Sequence, residues 1–253
     1  MHRTPSPLLA ALIAATLTVV PAMAQQRSPN KPYAPVAIVP ASPPKNESFE
    51  AFRTALAAVA KSRVYAELAD LVRTRGFFWD RDFGHGYDPR KPAVDNLAAA
   101  IQLELRNGAG WRLLAAFAAE PTIEPLVSLP GVVCAPARPG YDGVAYSRLL
   151  DATHTGGIDW AYPRADKTPV HAAPAPLSAV VGRLGLHFVR LMGFEGSDSE
   201  PSPGRTQWAR VALPDARIGF VAPGSLRSLT AERLCYIKDL VGWRIAGYIA
   251  RGN

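Results

Sequence analysis

The spacing of apolar residues changes along the chain, from a helical period to a strand period. Between residues 46 and 127, apolar side chains recur every three or four positions, which places them on one face of a helix. The four stretches contain Phe49, Phe52, Leu56 and Val59; Val64, Leu68, Leu71 and Val72; Val94, Leu97, Ile101 and Leu105; and Trp111, Leu114 and Phe117. Ser48 and Ser62 stand at N-cap positions, and Pro92 and Gly110 stand at the starts of the last two helices. We predict a small N-terminal helical domain over 46–127.

From about residue 169, short apolar stretches are separated by turn residues, which is typical of strands. The predicted strands include residues 170–171, 180–184, 187–192, 208–213, 218–221, 226–227, 234–238 and 243–249. The segment 128–168 connects the two halves, with a short strand at Val132-Val133 and a short helix around Tyr146. We therefore expect an α+β fold.

The last predicted hairpin shows a clear alternation. Leu234 and Tyr236 fall on one side of its first strand, and Cys235 falls on the other. In the second strand, the same alternation puts Trp243 in the core and exposes Tyr248 together with Arg244. In the first strand, Lys238 lies on the side of Leu234, and Ile237 lies on the side of Cys235.

The first 45 residues have a different composition. Residues 1–24 combine a short basic start, an apolar run from Leu8 to Val20, and Ala22-Met23-Ala24, which together predict a secretory signal peptide cut after Ala24. Residues 25–45 contain six prolines and are predicted to form a Pro-rich linker. We expect a periplasmic or secreted protein without a transmembrane anchor after cleavage.

The charge of the chain is moderately positive. Its formal net charge is +7 and falls to +6 when the signal segment removes Arg3. The cationic residues form no run and do not alternate with aromatic residues, so we expect no nucleic acid among the partners. The excess charge favours mild attraction to anionic envelope components.

The segment 208–222 resembles the central hairpin of bacterial SH3-like (SH3b) domains. The resemblance lies in the strand Trp208-Ala-Arg-Val211, the turn at Pro214-Asp215, and the strand Gly219-Phe220-Val221. Upstream, Val180-Val-Gly-Arg-Leu184 is similar to the opening of such domains, although His171 and Ala216 depart from the usual Arg and Gly. The C-terminal pattern, Cys235-Tyr236 followed by Gly242-Trp-Arg-Ile-Ala-Gly-Tyr-Ile249, resembles the tail of uncharacterised exported SH3-domain proteins from alphaproteobacteria, and the likeness to the family covers about residues 169–250.

This resemblance implies an SH3-like β-barrel domain over 169–253, extended by a C-terminal β-hairpin. SH3-like domains bind ligands on aromatic side chains. The predicted binding residues are Trp208, Phe220, Tyr236, Arg244 and Tyr248.

Two cysteines occur, at positions 134 and 235. An even number of cysteines in an exported chain predicts a disulfide, here between Cys134 and Cys235. A catalytic thiol is the alternative, but neither cysteine stands in the sequence context of a cell-wall amidase nucleophile.

An acidic segment interrupts the helical half between residues 77 and 92, where we predict irregular structure. Asp80, Asp82 and Asp88 offer oxygen ligands for a cation such as calcium. The spacing lacks the third Asp or Asn and the final Glu of a calcium loop, so these residues are a weak candidate only. We predict no cofactor.

The sequence predicts a binding protein rather than an enzyme. His154 and Asp159 are close in sequence, but no nucleophile motif accompanies them. The leading hypothesis is a non-catalytic periplasmic module that recognises cell-wall peptidoglycan or an envelope protein. The alternatives are a scaffold that docks a protein partner through its helical domain, and an atypical cell-wall hydrolase.

Overall fold

The computed structural model describes residues 31–81, 84–195 and 207–250. The described helices are α1 (Glu47–Ser62), α2 (Tyr65–Leu71), α3 (Ala93–Ala100), α4 (Ala109–Ala119) and α5 (Gly143–Thr153). The described strands are β1 (Ile38–Val39), β2 (Phe78–Arg81), β3 (Gly84–His85), β4 (Glu124–Pro125), β5 (Val132–Ala135), β6 (Gly140–Tyr141), β7 (Trp160–Pro163), β8 (Thr168–His171), β9 (Val180–Leu184), β10 (Val189–Glu195), β11 (Trp208–Ala212), β12 (Ile218–Val221), β13 (Leu226–Ser228), β14 (Arg233–Lys238) and β15 (Trp243–Ile249). The α+β content is confirmed.

The first four helices pack against a six-stranded sheet. The order of its strands is β3-β2-β15-β14-β5-β4, so the C-terminal hairpin lies at its centre. The shared core contains Phe49, Leu56, Leu68, Leu97 and Leu114 from the helices, and Leu234, Tyr236, Ile245 and Tyr248 from the sheet. A helical domain separate from the C-terminal hairpin is therefore not confirmed, because these helices cover their apolar faces with that hairpin.

The second large sheet has seven strands in the order β13-β7-β10-β11-β12-β8-β9. Its strand pairs are all antiparallel among the described residues. No sheet in the described part of the chain closes into a barrel. β13, which contains the predicted strand 226–227, pairs with β7 at the opposite edge from β9, so the SH3-like barrel is not confirmed.

The connecting segment contributes to both sheets. β5 pairs with β14 in the six-stranded sheet, whereas β7 pairs with β10 and β13 in the seven-stranded sheet. The predicted strand at Val132-Val133 and the predicted helix around Tyr146 are both confirmed, as β5 and α5.

Some local predictions are wrong. The side chain of Asn46, not Ser48, caps α1 by accepting a hydrogen bond from the amide of Phe49 at 3.1 Å. Ser48 Oγ instead accepts hydrogen bonds from Lys238 and Trp243, which ties the start of α1 to the last hairpin. The segment 77–92 is also not wholly irregular, because β2 pairs in parallel with β15.

A buried carboxylate connects the end of α4 to the seven-stranded sheet. Glu120, directly after α4, accepts hydrogen bonds from Arg227 of β13 at 2.6 Å and from the hydroxyl of Thr122 at 2.6 Å. Its side chain is only 6% exposed. Burial alone would raise the pKa of Glu120, but these hydrogen bonds outweigh burial and the pKa is lowered.

Candidate functional site

Residues 33–39 of the Pro-rich segment, hereafter the arm, form one wall of a cleft. Their backbone is held at several points: the Tyr33 amide donates to Pro214, the Phe188 amide donates to the carbonyl of Val36, and the Ile38 amide donates to Leu186. Val36 and Ile38 are buried, and β1 pairs with β6. The prediction of a simple spacer is therefore wrong for the arm, which packs as an added strand.

The arm is also held by an aromatic residue. The Tyr33 hydroxyl donates a hydrogen bond to the carbonyl of Ala212 at 2.9 Å, and its ring meets the buried Trp160 edge-on at 5.0 Å. Burial raises the pKa of the Tyr33 phenol, so this hydroxyl stays protonated as a donor at neutral pH.

Helix α5 forms the facing wall. Its first turn is capped by Asp142, whose carboxylate accepts hydrogen bonds from the amides of Val144 and Ala145 at 2.9 and 3.0 Å. Tyr146 and Leu149 are buried against the seven-stranded sheet. The small side chains of Ala145 and Ala152 line the cleft and leave room beside the helix.

The cleft between these walls, hereafter the arm cleft, has a volume of about 1270 Å³. This volume exceeds the range of about 300–1,000 Å³ that is usual for small-molecule sites. The lining residues are Lys31, Pro32, Tyr33, Ala34, Pro35, Val36, Ala37, Val39, Gly140, Tyr141, Asp142, Ala145, Arg148, Leu149, Ala152, Thr153, His154 and Arg190. Such a cleft can hold an extended ligand with apolar and charged parts.

The structure brings together two of the predicted binding residues, Trp208 and Phe220, away from the arm cleft. Both are half-buried on the face of the seven-stranded sheet opposite its core. Phe220 is paired with Arg210 on one side and His171 on the other, and the Trp208 ring meets the His171 ring edge-on at 5.2 Å. Ligand binding by Trp208 and Phe220 stays a prediction.

The other predicted binding residues lie in the six-stranded sheet. Tyr236 and Tyr248 are 0% and 2% exposed, in the core with the helices. The expected exposure of Tyr248 is wrong because a bulge places Ala246 as an extra residue opposite β14, which moves Tyr248 to the face of Ile245. Arg244 is half-buried and donates to the carbonyl of Trp243.

The expected disulfide is present. Cys134 and Cys235 face each other directly across β5 and β14, and their sulfur atoms are bonded. Both residues are fully buried. A thiol nucleophile is therefore absent from this pair, and the bond fixes the pairing of two strands on the sheet face that is turned away from the helices.

The candidate metal ligands are only partly described. Asp82 lies outside the described residues, and the Asp88 carboxylate is bound by Arg90 at 3.0 Å, which lowers the pKa of Asp88. Among the residues the structure describes, no group of three or more His, Cys, Asp or Glu side chains could hold a metal ion. Cation binding by Asp80, Asp82 and Asp88 together therefore stays a prediction.

Sequence reasoning missed the arm cleft. The arm has a period-two apolar pattern at Val36 and Ile38, which is a strand signal, but the surrounding prolines led to its interpretation as a linker. Arg148 on α5 and Arg190 on β10 lie far apart in sequence, and nothing in the sequence shows that they share one cleft.

No family model, curated protein or solved structure matches the chain. None of the described helices has the length and apolar character needed to cross a bilayer.

Proposed function

We propose that this protein is a non-catalytic binding module of the cell envelope, which holds an extended segment of cell-wall peptidoglycan or of an envelope protein in the arm cleft. The predicted signal peptide gives the route to the envelope. The Cys134–Cys235 bond supports this location, because disulfides persist in oxidising compartments such as the periplasm.

The observation that carries the proposal is the construction of the arm cleft. Its volume is about 1270 Å³, and both walls are fixed by hydrogen bonds before any ligand arrives. A preformed cleft loses little conformational freedom on binding, so more of the contact energy remains as affinity.

The SH3-like interpretation of residues 169–250 is part of this proposal. Five short antiparallel strands, in the order β10-β11-β12-β8-β9, support it. In this interpretation, β10 of the SH3-like domain contributes Arg190 to the lining of the arm cleft.

The test mixes residues 25–253, in the disulfide-bonded form, with purified peptidoglycan sacculi. Co-sedimentation is then measured at low and at moderate salt. Ala152→Trp fills the arm cleft from α5. Ala57→Trp is the matched control, because it adds the same ring at another exposed helical alanine on α1.

We expect the wild type and Ala57→Trp to pellet at both salt concentrations, since a purely charge-driven association fades with screening. Ala152→Trp should remain in the supernatant. Equal pelleting of both variants, combined with loss of pelleting in Trp208→Ala, would place the site on the aromatic face instead. If the wild type does not pellet, crosslinking in the periplasm should recover a protein partner through Ala152; failure of both assays overturns the proposal.

A further inference from the structure

The cationic side chains of the arm cleft are not bonded to any carboxylate among the residues that the structure describes. Lys31, Arg148 and Arg190 line the cleft, and their side chains form no hydrogen bond or ion pair with another described residue. Two half-buried arginines elsewhere in the described chain are paired with carboxylates: Arg227 binds Glu120, and Arg233 binds Glu124, each at 2.6 Å. Lys31, Arg148 and Arg190 can therefore bind a ligand without first breaking an ion pair with a described residue.

Two acidic groups near the arm cleft are bonded to other groups than its cations. Asp142 lines the cleft, but its carboxylate caps α5 by accepting the amides of Val144 and Ala145. Asp215, whose charge acts on Tyr33, binds Arg217 at 2.7 Å. Neither carboxylate is bonded to the cations of the cleft, so the cleft keeps an excess of positive charge.

The cations lie on different walls. Arg148 is on α5, the half-buried Arg190 is on β10, and Lys31 precedes the arm. Apolar groups of Leu149 and Tyr33 line the space with them. A ligand that contacts all of them must carry negative groups at separate points along a chain that also offers apolar surface.

We infer that the arm cleft selects acidic peptide chains, whose carboxylate groups bind Arg148 and Arg190 while apolar parts lie along Leu149 and Tyr33. This inference rests on the proposed function and names its ligand class. Planar guanidinium groups bind carboxylate and phosphate through paired, charge-assisted hydrogen bonds. Partial burial of Arg190 strengthens such a bond, because the effective dielectric constant is lower than in water.

Carboxylates are available on acidic wall peptides, and phosphates are available on lipid headgroups. The probes are therefore a labelled peptide of alternating Glu and Ala, its counterpart with Gln in place of Glu, and vesicles of pure phosphatidylglycerol. Binding of the peptides is measured by fluorescence anisotropy and binding of the vesicles by co-sedimentation.

The test variant is Arg148→Gln with Arg190→Gln. The control variant is Arg106→Gln, which changes the same charge at an exposed site between α3 and α4. Circular dichroism and the urea midpoint verify that each variant is folded before binding is compared.

The wild type and Arg106→Gln should bind the Glu peptide at least about tenfold more tightly than the Gln peptide, and the double variant should lose most of this preference. Vesicle binding with the same dependence on Arg148 and Arg190, without peptide binding, would assign the cations to a membrane surface and overturn the inference. Equal binding of the two peptides, an unchanged preference in the double variant, or no binding of any probe would overturn it. If the protein binds the Glu peptide through its arginines but does not pellet with sacculi, the inference stands and peptidoglycan is rejected as the ligand.

Discussion

The ion pair between Glu120 and Arg227 offers a direct test of how the end of α4 is held to the seven-stranded sheet. Arg227→Ala removes the guanidinium and leaves the Glu120 carboxylate 6% exposed without its main counter-charge. The neighbouring Arg164 is 3.8 Å away and more than half exposed, so it is a weak substitute. We expect this single change to lower the free energy of unfolding substantially.

The size of the effect follows from what remains at the site. Removing one partner of a buried ion pair costs about 3–5 kcal/mol. The amide and hydroxyl of Thr122 still donate to Glu120 at 3.2 and 2.6 Å, so part of the charge remains solvated by the protein. We therefore expect the low end of the range, about 3 kcal/mol. Replacing both partners by apolar residues, Glu120→Met with Arg227→Leu, should cost less than the single change, because no charge is left buried.

The assay is urea unfolding of residues 25–253, followed by tryptophan fluorescence with the disulfide intact. Arg90→Ala is the control, because Arg90 forms an ion pair with Asp88 but its side chain is 87% exposed. The control should unfold at the wild-type urea concentration. A midpoint of Arg227→Ala equal to that of Arg90→Ala, or a double variant less stable than Arg227→Ala, would refute the reasoning.

Three further results are expected. The pKa of Glu120 is lowered from its ordinary value of 4.5, so the unfolded chain binds the proton more readily than the folded chain. The resulting stabilisation is complete above pH 4.5 and is lost as the pH falls through the folded-state pKa. Glu120→Gln should abolish this part of the acid dependence, which a series of urea midpoints at different pH values measures. Reducing the disulfide, which closes a separation of 101 residues, should lower stability by at most about 4.7 kcal/mol in the chain-entropy model, and urea curves with and without reductant measure this loss. Gly247→Ala places a Cβ 2.4 Å from the Phe78 ring and should cost about 1–3 kcal/mol, whereas Gly143→Ala meets no atom within 4 Å and should leave the thermal midpoint unchanged or higher.

The sequence predicts those elements whose pattern is local. α1 and α4 follow the spacing of Phe49, Leu56 and Leu114, because a periodic apolar face requires only neighbouring residues. The predicted assignment of residues to the two faces of β14 is confirmed, since Leu234 faces the helices and Cys235 faces away from them. The disulfide is predicted from an even count of cysteines in a chain with a predicted signal peptide.

The remainder depends on pairing between distant segments. β2 lies in parallel beside β15, although nothing around Phe78 indicates this partner. The bulge at Ala246 reverses the expected side of Tyr248, because a single extra residue shifts a period of two. The arm cleft could not be predicted for the same reason, since its walls come from the arm, α5 and β10.

The central position of the C-terminal hairpin has a consequence for the order of folding. During synthesis the N-terminal segments of a chain emerge first and generally fold first. Here α1 and α2 emerge long before the C-terminal strands that cover their apolar faces. Their packing requires closure of a very long loop, which slows folding. Loss of β15 alone would remove Trp243 and Ile245 from the core that contains Phe49 and Leu56, near the opposite end of the chain, and would take away the Trp243 ring that meets the Phe49 ring at 4.9 Å.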